Sequence, residues 1–219
     1  MNRFIFAITF FTLTATTSLK AQNSLVDFGI EGGPNLSLLT GTTVFNTKFD
    51  PKIFASAGFI FQYNTKKFLS FKTGVSYQQK GYQQSITLVD PFGNNAETGK
   101  HSSRFDYLTL PILVKATFGK KINFFVNAGP YVGYLLNVTS RYKSPSYSGE
   151  QKATNSFNRW DFGISAGLGI GVPINDYWVI SLEARNYTGL TNISPFANSN
   201  LKTNTTDLRL GVVYRMGFR

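Results

Sequence analysis

Long and short polar connections alternate along this chain, between about eight segments that each alternate apolar and polar residues. The long connections are residues 40–50, 81–104, 139–159 and 188–206, and the short ones are residues 64–67, 119–122 and 173–177. Each segment has roughly 9–14 residues, enough for a tilted strand to cross a bilayer. A soluble β-sandwich has no reason to gather its long loops at one end, whereas a barrel in the outer membrane does. The pattern predicts an all-β fold, an eight-stranded antiparallel up-and-down transmembrane β-barrel with short periplasmic turns and long extracellular loops.

The N-terminus has the features of a secretory signal peptide. Arg3 supplies a positive charge, residues 4–13 form an apolar stretch, and Ala21 provides a small residue before a cleavage point. The apolar stretch is too short for a transmembrane helix, which needs about 20 residues. We therefore expect residues 1–21 to be a cleaved signal peptide and residues 22–219 to be a single barrel domain, exported to the outer membrane.

Composition narrows the chemistry open to the chain. The 219 residues include no cysteine, so disulfides, thiol nucleophiles, a lipid anchor on cysteine and cysteine-type zinc sites are excluded. The formal net charge is +11. An exported chain rarely meets nucleic acid, so anionic lipid headgroups or surface polysaccharide are the expected partners of this charge. A solvated surface with no partner is the alternative.

The two faces of the segments differ in a way that indicates which one meets lipid. A lipocalin-like barrel would turn the apolar face inward. The polar face is rich in glycine, which suits a narrow interior, and the apolar face carries aromatic residues near both ends, as two membrane interfaces require. Those near the short turns are Tyr63, Phe118, Phe124, Trp178 and Phe218, and those near the long loops are Tyr77, Tyr134 and Trp160. We therefore expect the apolar face to point outward.

Charged residues then fall on the inward face of the strands. The acidic ones are Asp27, Glu31, Asp161 and Glu183, and the basic ones are Lys72, Lys80, Lys115, Arg185, Arg209 and Arg215. Eight strands enclose a space that side chains just fill. The expected result is a structural network of ion pairs that plugs the lumen, and the alternative is a selective pore or a proton path.

The last segment contains a pattern typical of an assembly signal. Arg209, Gly211, Tyr214 and Met216 fit the polar-x-Gly-x-x-apolar-x-apolar spacing that the barrel-assembly machinery reads by strand addition, and Phe218 follows. The chain ends on Arg219 instead of an aromatic residue, which departs from the usual form.

Few residues suggest catalysis or ligand chemistry. His101 is the single histidine and precedes Ser102 and Ser103 in a predicted loop, where neighbouring side chains cannot easily take the geometry of a nucleophile and its base. Asp90 and Glu97 are isolated carboxylates and form no metal-ligand cluster. We predict no catalytic residue, no metal site and no cofactor.

Several segments resemble the PorT-type outer-membrane β-barrel family of Bacteroidetes. The resemblance is carried by residues 29–37, 71–81, 107–115, 127–136, 161–173 and 182–193. It covers nearly the whole mature chain and implies an eight-stranded outer-membrane barrel. One member of that family takes part in gliding-associated protein secretion, but the resemblance implies only fold and location here.

The leading hypothesis is a closed, non-enzymatic barrel that presents polar surface loops, for partner binding, envelope integrity or support of a secretion assembly. Its expected partners are outer-membrane lipid, the barrel-assembly machinery during insertion, and surface proteins, secretion-complex proteins or glycans. One alternative is a narrow porin or transporter, and a second is a lipid-modifying barrel enzyme centred on His101.

Overall fold

The computed structural model describes residues 25–42, 49–65, 68–89, 95–119, 121–145, 148–194 and 199–216. The predicted signal peptide, Asp90 and Phe218 lie outside these residues. Nine strands are present in the described part of the chain. They are β1 (Leu25–Thr42), β2 (Lys52–Asn64), β3 (Leu69–Val89), β4 (Asn95–Phe118), β5 (Asn123–Lys143), β6 (Ser148–Lys152), β7 (Trp160–Pro173), β8 (Trp178–Gly189) and β9 (Asn200–Met216).

Eight of these strands close into a ring. Each pairs antiparallel with its neighbours in the order β4-β3-β2-β1-β9-β8-β7-β5, and β4 also pairs with β5. The seam joins the first strand to the last, from Val26 opposite Met216 to Thr42 opposite Asn200. The short β6 pairs with β5 and adds a hairpin beside the ring. The predicted eight-stranded antiparallel barrel is confirmed.

The strands extend further than the sequence pattern predicts. β3, β4 and β5 contain 21, 24 and 21 residues. The predicted long connection 81–104 is instead a two-stranded ladder, because the pairing of β3 with β4 continues from Gly81 opposite Arg104 to Val89 opposite Asn95. Backbone groups that pair across a hairpin need no amphipathic side-chain pattern, so the ladder continues where the alternation ends.

The outward face of the ring is apolar. On β4, Leu108, Leu110, Ile112 and Val114 are exposed, while the intervening Thr109 and Leu113 are fully buried. From Leu108 to Phe118 the strand rises about 33 Å, and a tilt of about 40° reduces this to about 25 Å, the height of the apolar band of such barrels. The apolar face therefore points outward, as expected.

Aromatic side chains border this band at both ends. Tyr77, Tyr134 and Trp160 are exposed towards the long connections, and Tyr134 contacts Trp160 edge-on with ring centroids 5.0 Å apart. Exposed aromatics at the opposite end include Tyr63, Phe118, Phe124 and Trp178. Within the described residues, no helix is long and apolar enough to cross a membrane.

Inside the ring, at the end with the long connections, lies a cluster termed here the apolar cap. Its buried members are Leu39, Phe105, Tyr107, Leu135, Val138, Ile193 and Leu201, and the half-buried Phe49, Tyr82, Ala153 and Phe157 pack against them. Part of the cap comes from the strands and part from the connections. For example, Phe157 follows a one-turn 3-10 helix (Thr154–Ser156) and meets the Phe105 ring edge-on at 4.9 Å.

Candidate functional site

Below the apolar cap, charged side chains fill the middle of the lumen. Glu31 on β1 forms ion pairs with three cations, with Lys72 Nζ at 2.9 Å, Arg185 Nη1 at 3.0 Å and Arg209 Nη1 at 2.7 Å. These cations stand on β3, β8 and β9, so a single carboxylate links four strands across the barrel. Glu31, Lys72, Glu183, Arg185, Asp207 and Arg209 are together termed the central network.

Glu183 is the second anchor of the central network. Arg185 holds it with two parallel bonds, Nε to Oε1 at 2.6 Å and Nη2 to Oε2 at 2.7 Å. Lys72 Nζ reaches Oε2 at 2.8 Å and Asn127 Nδ2 donates to Oε1 at 2.8 Å. Two-pronged arginine–carboxylate pairs fix geometry as well as charge. Glu183 is 2% exposed, so these pairs are shielded from water.

Asp207 belongs to the central network but is missing from the predicted set. It forms an ion pair with Arg209, and it accepts hydrogen bonds from Ser56 Oγ at 3.1 Å and Gln78 Nε2 at 3.1 Å. The alternation in the last segment becomes regular only from Leu208 onward, and β9 begins earlier, at Asn200. The available signal was the spacing itself, because Asp207 stands two residues before Arg209 and shares its face.

A second charged layer lies between the central network and the apolar cap. Lys80 Nζ contacts Asp161 Oδ2 at 2.9 Å, and both side chains are 0% exposed. The same ammonium lies 5.1 Å, 4.8 Å and 5.9 Å from the ring centroids of Tyr107, Tyr131 and Tyr187. Aromatic faces stabilise a cation that has left water. The predicted residues Lys80 and Asp161 are thus brought together, away from the central network.

The remaining predicted lumen residues lie at the short-turn end. Asp27 accepts hydrogen bonds from Gln62 Nε2 at 3.2 Å and Asn64 Nδ2 at 3.0 Å. Lys115 Nζ donates to Gln62 Oε1 at 2.9 Å and lies 4.2 Å from the centroid of the Phe125 ring. Arg215 is half-buried and stands opposite Asp27 in the β1–β9 register. This end therefore forms a separate polar group.

Charges in the two inner layers balance within the described residues. In these two layers the four cations Lys72, Lys80, Arg185 and Arg209 face the four carboxylates of Glu31, Asp161, Glu183 and Asp207, all less than a tenth exposed, while the equally buried Asp27 and Asp106 lie outside the two layers. A buried ion pair is maintained only where its partners are well placed, because removing charges from water costs several kcal/mol per ion. The strands supply that placement at fixed register.

Side chains pack closely at the central network. The gap beside Glu31, Lys72 and Arg185 is too small to hold a water molecule. The glycines of β7 allow this crowding, because a Cβ at Gly167 would lie 2.7 Å from Glu183 Oε1 and one at Gly163 would lie 2.6 Å from the Tyr131 ring. The structure therefore favours a filled barrel.

The residues of the predicted assembly pattern lie on β9, at the seam of the ring. Gly211 is paired with Glu31 on β1 and with Ser181 on β8. Tyr214 contacts the Trp178 ring at 5.1 Å, and Met216 is exposed on the outer face. In the closed barrel, the edge that such a signal would offer to a partner strand is occupied by β1.

The structure brings His101 and Ser103 together, contrary to the prediction. Both residues stand on β4, where positions two apart share a face, and Ser103 Oγ lies 3.3 Å from His101 Nε2. Ser103 Oγ also lies 3.0 Å from Ser140 Oγ. Ser103 is only 2% exposed. Partial burial lowers the pKa of the His101 imidazole.

In the described part of the chain, no group of three His, Cys, Asp or Glu side chains is placed so that it could hold a metal ion.

A closed ring of eight antiparallel strands, with an apolar exterior of membrane height and a charged interior, defines an integral β-barrel of the outer membrane. The chain belongs to the family described as outer membrane protein beta-barrel domain, whose model matches residues 20–194.

Solved structures with similar folds include outer-membrane barrels from several bacteria. The attachment invasion locus protein Ail of Yersinia pestis is 13% identical, with a TM-score of 0.43 over 89% of this chain and 100% of that one. OprG of Pseudomonas aeruginosa is 12% identical, with a TM-score of 0.44 over 90% and 98%. Outer membrane protein W of E. coli is 12% identical, with a TM-score of 0.41 over 90% and 100%. No curated protein matches the chain significantly.

Proposed function

We propose that this protein is a closed, non-enzymatic barrel that anchors a rigid surface platform in the outer membrane. The observation that carries the proposal is the filled lumen. The central network, the Lys80–Asp161 layer and the apolar cap lie one above another inside the ring. With the interior filled, the surface outside the membrane is the part of the molecule left to meet a partner.

The platform consists of strand pairs that continue beyond the apolar band. The β3–β4 hairpin stays paired from Gly81 to Val89, and β6 pairs with β5 over five residues, where Arg141 Nη2 contacts Glu150 Oε2 at 2.6 Å. Paired strands hold side chains at fixed spacing, which lowers the entropy lost on binding. Protein or glycan partners on the cell surface, including components of a secretion assembly, suit such a platform.

We also propose that the chain is a member of the PorT-type branch of the family, because several of its segments resemble that branch. The proposal also includes cleavage of residues 1–21 and insertion through the barrel-assembly machinery, guided by the pattern from Arg209 to Phe218. Since Val26 is opposite Met216, both described ends of the barrel lie at the short-turn rim. We place that rim in the periplasm, in keeping with the topology of bacterial outer-membrane barrels.

Lipid modification at His101 is a weaker candidate function. A nucleophile must be reachable by its substrate, and Ser103 is 2% exposed and bonded to neighbouring hydroxyls. The His101–Ser103 contact is explained by packing beside the apolar cap, where Tyr82 stands 6.2 Å from His101 between ring centroids. This burial supports the non-enzymatic proposal.

Conductance measurements test the closed barrel. We expect purified, folded protein in planar lipid bilayers to give no steady conductance, because ion pairs and apolar side chains occupy the lumen. Insertion is verified separately, by impermeant labelling of single cysteines introduced at Lys100 and Lys121, which stand near opposite rims. Stable, reproducible single-channel steps from the unmutated protein would reject the closed barrel and support the porin alternative.

A further inference from the structure

The outer face of β3 and β4 changes from apolar to polar directly above the row of Tyr77, Leu108 and Tyr134, whereas β5 keeps one more exposed apolar residue there, Leu136. The three residues of the row are register partners and are all exposed. Further along β4, the positions in line with Leu108 are Asp106, Arg104 and Ser102, of which Asp106 is buried and the other two are half-buried. Arg104 lies about 13 Å beyond Leu108 along the strand, or about 10 Å higher once tilt is included. Its side chain therefore reaches the headgroup layer of the bilayer.

A pocket opens at this level. Its volume is about 270 Å³, close to the lower limit for small-ligand sites. Four strands line it, β2, β3, β4 and β5. The side chains that can donate hydrogen bonds to a ligand are Lys52, Gln79, Ser102, Arg104, Thr139 and Arg141.

Three cations therefore converge on one pocket. All three line its wall, from β2, β4 and β5. Lys52 makes no ion pair with any residue in the described ranges. Arg104 Nε lies 3.2 Å from Asp106 Oδ1, and Arg141 Nη2 lies 2.6 Å from Glu150 Oε2. Among the described residues, three cations against two carboxylates leave the pocket one positive charge in excess.

The neighbouring surface is apolar on the membrane side. Ile53 lines the pocket and is 70% exposed, and Leu36, its register partner on β1, is 47% exposed. A ligand that filled the pocket with an anionic group would lay any hydrocarbon chain against these residues. A soluble anion has no hydrocarbon chain with which to contact these apolar residues.

We propose that the pocket of Lys52, Arg104 and Arg141, termed here the rim pocket, binds the phosphate group of a lipid in the outer leaflet. The guanidinium groups match phosphate oxygens with paired donors, and the ammonium adds a point charge. The acyl chains of the lipid then run down past Ile53 and Leu36. The proposal rests on the outward orientation given under the proposed function, but not on closure of the lumen.

Lipid retention on the full-length protein tests this site. Native mass spectrometry of the detergent-solubilised barrel, titrated with short-chain phosphatidic acid, measures the affinity for a lipid phosphate. We expect Lys52→Gln to weaken retention about tenfold, the effect of losing one hydrogen bond to a charged group. Lys52→Gln with Arg104→Gln should weaken it further. Glu150→Gln should strengthen it, because Arg141 is then released from its carboxylate.

A charge-matched control separates the pocket from net charge. Lys121 is exposed beside the short β4–β5 turn, at the opposite rim. Lys121→Gln removes the same charge and should leave retention unchanged. An equal loss in Lys121→Gln and Lys52→Gln would overturn the proposal.

Competition with inorganic phosphate identifies the source of the anion. We expect millimolar phosphate not to displace phosphatidic acid from the unmutated protein. Full displacement, with equal affinity for phosphate alone, would show a site for a soluble anion and reject the lipid. If the unmutated protein retains no lipid and gives no conductance, only the rim pocket is rejected. If it retains lipid and gives single-channel steps, only the closed barrel is rejected.

Discussion

The central network and the apolar cap fill the same tube by opposite means. In the network, Glu31 and Glu183 bind cations through directional contacts of 2.6–3.0 Å. In the cap, residues such as Leu135 and Ile193 are held by hydrophobic contacts, which have no directional requirement. The network stands on strands with fixed register, so charges can be placed accurately enough to offset desolvation. The cap draws part of its residues from connections, where non-directional hydrophobic contact tolerates irregular backbone.

This comparison predicts that one carboxylate in the network has the largest effect on stability. Glu183→Ala leaves Arg185 and Lys72 buried with fewer partners and should lower the free energy of unfolding by about 3–5 kcal/mol. Urea titrations of the protein in lipid vesicles measure this. Glu183→Gln keeps the shape and should cost less. Glu150→Ala breaks the exposed pair with Arg141 and serves as control, and an equally small effect at both glutamates would contradict the buried network.

The cap should respond to lost volume instead of lost charge. Leu135 is fully buried, and Leu135→Ala should lower the free energy of unfolding by about 2–3 kcal/mol, through lost burial and the resulting cavity. The next residue, Leu136, is 44% exposed on the outside, so Leu136→Ala is a matched control with a smaller expected cost. The same urea titration compares them. If the two variants cost the same, the cap does not contribute as a packed core.

The smallest expected effect comes from two tyrosine hydroxyls. Tyr187 accepts a hydrogen bond from Arg185 Nη1 at 3.0 Å, so Tyr187→Phe should lower the free energy of unfolding by about 1.5 kcal/mol. The buried hydroxyl of Tyr107, in the cap, bonds to no group in the described residues. Tyr107→Phe should therefore leave stability unchanged or raise it. If the free energy of unfolding falls more for Tyr107→Phe than for Tyr187→Phe, the assignment of Tyr107 to the apolar cap and of Tyr187 to the polar contacts is wrong.

The sequence predicts the barrel well where one face of a strand meets lipid. In β7, Phe162, Ile164 and Leu168 are exposed, while Asp161 and Ser165 are buried, as the alternation predicts. Membrane and lumen impose opposite polarity on successive residues, and this makes the signal strong. Position on the inward face was therefore predictable, including that of Glu31 and Arg185.

The same signal disappears beyond the apolar band. Both faces of the β3–β4 hairpin above Gly81 are largely polar, so its strands resemble a loop in sequence. The first half of β9 is similar, which is why Asp207 is missing from the prediction. The cap collects Leu39, Phe105, Ile193 and others from distant segments with no common period. Which charges pair was not predictable either, because pairing depends on how far each side chain reaches across the lumen.

The seam between β1 and β9 has a consequence for how the chain folds. Arg209 on the last strand bonds Glu31 on the first, across 178 positions of sequence. Until β9 docks, the carboxylate of Glu31 lacks one of its three cations and the edge of β1 stays open. Contacts between such distant segments form slowly, because loop closure must precede them. Docking of β9 therefore completes both the ring and the ion pairs of Glu31. A chain truncated before Arg209 should remain an open sheet that envelope proteases can cleave.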